Sequence, residues 1–98
     1  MRVRYTARAF ADREAIFEYI DRRNPRAARE IKAFLEKRIS ELGDLEIRHR
    51  VIPKLGVHAL WVGRYPYIVY YRVGDDEISI LHIRHAAGGL GREKAIRA

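Results

Sequence analysis

Four histidines, six tyrosines and twenty lysines and arginines give this 98-residue chain side chains able to move a proton or steady a phosphate. Four of the tyrosines fall in RYPYIVYYRV, Arg64 to Val73. Such a row is either a set of phenols for acid–base work and base stacking, or a strand whose rings fill a core while their hydroxyls reach the rim. The histidines are His49, His58, His82 and His85. An imidazole titrates near ~6.5 and can act as a general base; at strand ends it can equally be held by hydrogen bonds. His82 and His85 fall on opposite faces of a strand and cannot form a simple pair. His85 is the better-placed catalytic candidate, because it ends its strand beside a glycine-rich exit.

The elements that would position these groups read clearly. Met1–Tyr5 alternates, with Val3 and Tyr5 on one face and Arg2 and Arg4 on the other, which predicts a strand. Thr6 suits the N-cap of a helix running to about Arg23, with Asp12 and Glu14 near its positive end. Its apolar stripe is Ala9, Phe10, Ile16, Phe17 and Ile20. Arg13 interrupts that stripe; its stem can lie on the apolar surface with the guanidinium in water, or this edge can meet a partner. Asn24-Pro25 opens a second helix reaching about Leu42, ended by Gly43. Ala28, Ile31, Leu35, Ile39 and Leu42 share one side, and Lys32–Glu36 and Lys37–Glu41 are spaced for ion pairs on the outer face. Neither helix carries inward-facing paired acids or histidines, so no metal site is expected there.

Asp44–Gly56 is basic, contains Pro53 and lacks a clean period; it reads as a connection with room for a short strand. Val57–Gly63, Tyr67–Val73 and Ile78–His85 read as strands, joined by turns at Arg64–Pro66 and Gly74–Glu77. In the middle one, Tyr67, Val69, Tyr71 and Val73 share a face, and Ile68, Tyr70 and Arg72 share the other. Both faces are apolar enough for a central strand. The fold class is therefore α+β: a small, mostly antiparallel four-stranded sheet, order β-α-α-β-β-β, with an N-terminal helical hairpin packed on one face. Residues 1–98 make one domain.

The formal charge is +7 and the pI about 10.1, which favours an acidic partner, nucleic acid or polypeptide. The chain has no cysteine, so no disulfide or thiolate metal site forms. No apolar stretch approaches the ~20 residues of a membrane span, and MRVRYTARAF lacks a signal peptide's apolar run. A cytoplasmic protein is expected.

DREAIFEYI (Asp12–Ile20), NPRAAREI (Asn24–Ile31), YPYIVYYRV (Tyr65–Val73) and ISILHIRH (Ile78–His85), in this order, resemble the RelE/ParE superfamily of bacterial type II toxins, and the ParE branch most. The resemblance spans essentially the whole chain; its most specific part is PYIVYYRV followed by ILHIRH. It implies a small sheet with a helical hairpin, no cofactor, and neutralisation by an antitoxin whose acidic or amphipathic C-terminal segment wraps the toxin in a hetero-oligomer. RelE-like members are ribosome-dependent endoribonucleases, whereas ParE-like members typically act on DNA gyrase. The nuclease's lysines align with Ala59 and Trp61, and its arginine after the tyrosine with Ile68. AAGG (Ala86–Gly89) follows the last strand, with Gly88 where ParE relatives often have arginine. A site without these cations lacks the main electrostatic means of phosphoryl transfer, so inhibition of gyrase by binding is expected, without catalysis. The alternatives are mRNA cleavage through a non-standard set that includes His85, and a toxin-like fold that only binds. Antitoxin contacts are expected at Arg13, Trp61, Arg64, Arg72 and Arg84, because Trp and Arg are frequent interface anchors. Target contacts are expected at Arg48, Arg50, Lys54, Tyr65 and His85.

Overall fold

A computed structural model describes residues 2–44, 50–52 and 56–86, with the side chains of 44 and 50–52 excepted. Seven elements follow in order: β1 (Arg2–Tyr5), α1 (Ala7–Arg23), α2 (Pro25–Asp44), β2 (Arg50–Ile52), β3 (Val57–Trp61), β4 (Tyr67–Val73) and β5 (Glu77–His85). The architecture is α+β as expected, with the helical hairpin against one face of the sheet. The strands lie in the order β1-β5-β4-β3-β2. All neighbours are antiparallel except β1 and β5, which run parallel. Four strands are those read from the sequence; β2, three residues long within the basic connection, extends the sheet beyond β3.

Local chemistry sets the helix starts. The Thr6 hydroxyl accepts the Ala9 N–H at 3.1 Å and donates to the Ile80 carbonyl at 2.8 Å, so one side chain caps α1 and fastens it to β5. Asn24 Oδ1 accepts the Ala27 N–H at 3.0 Å, capping α2. Gly43 does not end α2, which continues to Asp44. The anticipated lysine–glutamate pairs do not form either: Glu36 turns to Arg13 and Glu41 to Arg38.

The core joins Ala9, Leu35, Ile39 and Leu42 of the helices to Leu60, Tyr67, Val69, Tyr71, Ile78, Ile80 and Ile83 of the sheet. Phe10, expected in α1's apolar stripe, is instead exposed. Strict alternation along β5 would set His82 beside Ile78 and Ile80. A bulge prevents this: Tyr70 pairs with His82 while Tyr71 pairs with Ile80, leaving Leu81 as the extra residue. Ile83 thereby joins Ile78 and Ile80 on the helix side, and His82 and Arg84 pass to the outer face. At the β3–β4 turn Gly63 adopts φ +94, a conformation that favours glycine.

Candidate functional site

The β3–β4 turn is held closed by the Val62 N–H on the Tyr67 carbonyl at 3.1 Å and the Tyr67 N–H on the Tyr65 carbonyl at 2.8 Å. This aims Tyr65 at α2, where it meets Phe34 edge to face, ring centroids 5.4 Å apart. Between helix and turn runs an open groove of about 310 Å³, lined by Glu30, Ala33, Phe34, Lys37, Arg64 and Tyr65. The Arg64 guanidinium lies over the Tyr65 ring, 5.5 Å from its centroid, at the distance of a cation–π contact. Lys37 stands on the helical side of the same groove.

The sheet face turned away from the helices holds a second set. Trp61, 55% exposed, pairs with Ile68, and Ala59 pairs with Tyr70. Arg84, 7% exposed, donates from Nε to the Tyr70 hydroxyl at 3.0 Å and from Nη1 to the His85 carbonyl at 3.4 Å. Arg72 is exposed further along β4. The two arginines expected together at a surface therefore differ in burial: Arg72 is exposed, while Arg84 is an internal tie between β4 and β5.

His82 stacks on Tyr70 at 5.8 Å, and its Nδ1 lies 2.6 Å from Asp12 Oδ2 on α1. A carboxylate only accepts, so Nδ1 carries the proton and donates. The same oxygen accepts the Ile83 N–H at 3.1 Å, a backbone group left open where β1 stops short of the end of β5. Asp12 thus closes a sheet edge rather than serving the first turn of its helix, which holds no acid. His85 lies on the helix side, against the edge of Tyr67 at 5.3 Å, so the expected separation of His82 and His85 is observed. His58 stacks on Tyr71, with its Nδ1 buried and unpartnered.

Arg13 is not a solvated cation. Its guanidinium lies 4.8 Å from the Tyr5 ring centroid and 5.1 Å from that of Phe10, and it pairs with Glu14 and Glu36, tying β1, α1 and α2. The tyrosine row is largely core: Tyr67, Tyr70 and Tyr71 are buried. Burial pushes the phenols of Tyr67 and Tyr71 above their ordinary value, so they stay protonated at neutral pH. Arg48 and Lys54 lie outside the described residues, as does the side chain of Arg50. Among the described residues no cluster of metal-ligating side chains occurs, and no helix is long and apolar enough to cross a membrane.

Residues 3–88 match the family model described as the ParE toxin of the type II toxin–antitoxin system parDE. The chain belongs to this toxin family. A relative named Toxin RelE2, from Caulobacter vibrioides, is 34% identical over 83 residues, covering 85% of this chain and 92% of its own length. A solved structure described as the chromosomal ParDE system from P. aeruginosa superposes with a TM-score of 0.77 at 26% identity, covering 87% of this chain and 95% of that one.

The toxin's fold brings together residues that its sequence keeps apart. Arg64 and Tyr65 were expected at different partners, yet they line one groove. Phe34 and Lys37, on the same groove, carried no signal beyond their places on α2. Asp12 and His82 form a contact between the first helix and the last strand that no local period could reveal.

Proposed function

We propose that this toxin acts by binding DNA gyrase, without breaking bonds itself, and that a cognate antitoxin with an acidic or amphipathic C-terminal segment neutralises it in a hetero-oligomer. Its place is the cytoplasm, where that target lies. One observation carries the reading. The positions that the resemblance aligns with the nuclease's cations hold Ala59, Trp61 and Ile68, all on the outer sheet face, where Trp61 pairs with Ile68 and Ala59 with Tyr70 across the β3–β4 ladder. Arg84, which pairs with Ile68 on the other side, is buried and turned to Tyr70. Phosphoryl transfer requires preorganised cations facing the scissile phosphate, and these side chains supply none. The relation to a ParDE system and the charge of +7 support an acidic protein partner. A supercoiling assay with purified toxin tests the target. Loss of supercoiling at micromolar toxin, restored by the antitoxin, supports the reading; unimpeded gyrase ends it.

A second reading has its own support in the Asp12–His82 pair and in the relative named Toxin RelE2. A carboxylate on Nδ1 fixes the tautomer and leaves Nε2 as a proton acceptor, the arrangement of a general base. If this chain cleaves mRNA on the ribosome, the structure favours His82 over His85 as its base. Under this reading His82→Gln abolishes transcript cleavage in a translating extract and His85→Ala does not; cutting that survives His82→Gln rules it out.

A further inference from the structure

The basic residues of this toxin divide by what faces them. Arg2 and Arg4 pair with Glu77, Arg8 with Asp12, Arg13 with Glu14 and Glu36, Arg22 with Glu18, and Arg38 with Glu41. Arg23, Arg26, Arg29, Lys32, Lys37 and Arg64 have no carboxylate partner among the described residues, and of these Lys37 and Arg64 stand together on the groove between α2 and the β3–β4 turn. The groove's floor is aromatic, Phe34 against Tyr65. Arg26, Glu30, Ala33 and Lys37 follow one another along that side of α2 at spacings of three and four, so the exposed helix face beside the groove is a single stripe.

We propose that this groove receives an acidic amphipathic segment of the antitoxin: one apolar side chain rests on Phe34 and Tyr65, and its carboxylates reach Lys37 and Arg64. The assignment rests on the reading that an antitoxin neutralises this toxin. Charge complementarity selects the occupant. Two cations with no carboxylate partner among the described residues, beside an apolar floor, suit a segment that alternates acidic and apolar groups. Glu30 discriminates further, because a continuous polyanion such as nucleic acid would set a phosphate against it, whereas a peptide can place a neutral or basic residue there. The groove's volume is at the lower end of the ~300–1,000 Å³ of small-molecule sites, and it is open along its length, which suits a side chain from a larger surface. Glu30 also sets a direction: the partner's acidic residues lie toward Lys37 and Arg64.

The test measures binding of the antitoxin encoded by the neighbouring gene to immobilised toxin. It uses the wild type, Lys37→Glu, Arg64→Glu, their double variant and Lys32→Glu, which makes the same charge change on another side of α2. The double variant is expected to bind at least ~30-fold more weakly and Lys32→Glu within about twofold of wild type. Glu30→Gln removes the repulsion and is expected to tighten binding about two- to fivefold, a gain that misfolding cannot mimic. Equal binding by the wild type and the double variant overturns the groove assignment while leaving antitoxin neutralisation intact. A wild-type toxin that binds no antitoxin defeats the neutralisation reading and this inference with it. In a parallel titration with single-stranded RNA, a loss confined to RNA binding in the double variant would give the groove to nucleic acid and overturn the proposal.

Discussion

Arg84 on β5 and Arg64 in the β3–β4 turn carry the same charge and sit on neighbouring parts of one sheet, yet their surroundings are opposite. Arg84 is buried, bonded to the Tyr70 hydroxyl and to the backbone of His85. Arg64 is exposed over Tyr65, on a groove whose other cation, Lys37, also lacks a carboxylate partner among the described residues. The outer sheet face is thus a place where polar groups hold strands together, in a chain of contacts from Asp12 on α1 to His82, from His82 to Tyr70 and from Tyr70 to Arg84. On the α2–turn groove, which Glu30 also lines, Lys37 and Arg64 have no ion-pair partner among the described residues. A net charge of +7 does not say which of its cations meet a partner; their pairing does.

Substitutions can break this contrast, and the largest effect belongs to Arg84. Arg84→Ala removes charge-assisted hydrogen bonds from a buried site and leaves the Tyr70 hydroxyl without that donor, so unfolding by urea should become easier by about 2–3 kcal/mol. Asp12→Ala comes next. It strips the acceptor from both His82 and the Ile83 N–H and should cost about 1–2 kcal/mol, with faster amide exchange at Ile83 as its specific signature.

A smaller effect appears in acid. Hydrogen bonding from Arg4, reinforced by the charges of Arg4 and Arg2, holds the Glu77 carboxyl below its ordinary 4.5. A depressed folded value adds stability above the unfolded one, lost as pH falls through the folded value. Urea midpoints measured from neutral pH downward should therefore fall less steeply below about pH 4.5 for Glu77→Gln than for wild type. The smallest effect is expected at the groove. Arg64→Ala should change stability by less than ~0.5 kcal/mol, and a loss comparable to that of Arg84→Ala would erase the distinction between the two regions.

Much of the fold was legible because it rests on local signals. Thr6 and Asn24 cap the helices they were read to cap, and the alternation of Tyr67 to Val73 places Tyr67, Val69 and Tyr71 in the core. What escaped depends on contacts between residues distant in the chain. Glu36 and Glu41 lie at the right spacing for Lys32 and Lys37, but Arg13 and Arg38 are their partners. Arg13 reads as an intrusion in an apolar stripe until Tyr5 and Glu36 are seen around it. The three-residue strand β2 has too few residues to show a period. His82 looked like a strand histidine of no special standing, because only the bulge at Leu81 and the approach of α1 bring Asp12 to its Nδ1.

The central claim is that this toxin works by offering a surface rather than by cutting a bond. The most direct measurement maps 5′ ends of transcripts in a translating extract supplied with purified wild-type toxin, beside His82→Gln. Intact transcripts in both samples, from a preparation that inhibits gyrase, are the predicted result. Fragments with defined new ends, present with the wild type and absent with His82→Gln, would contradict it.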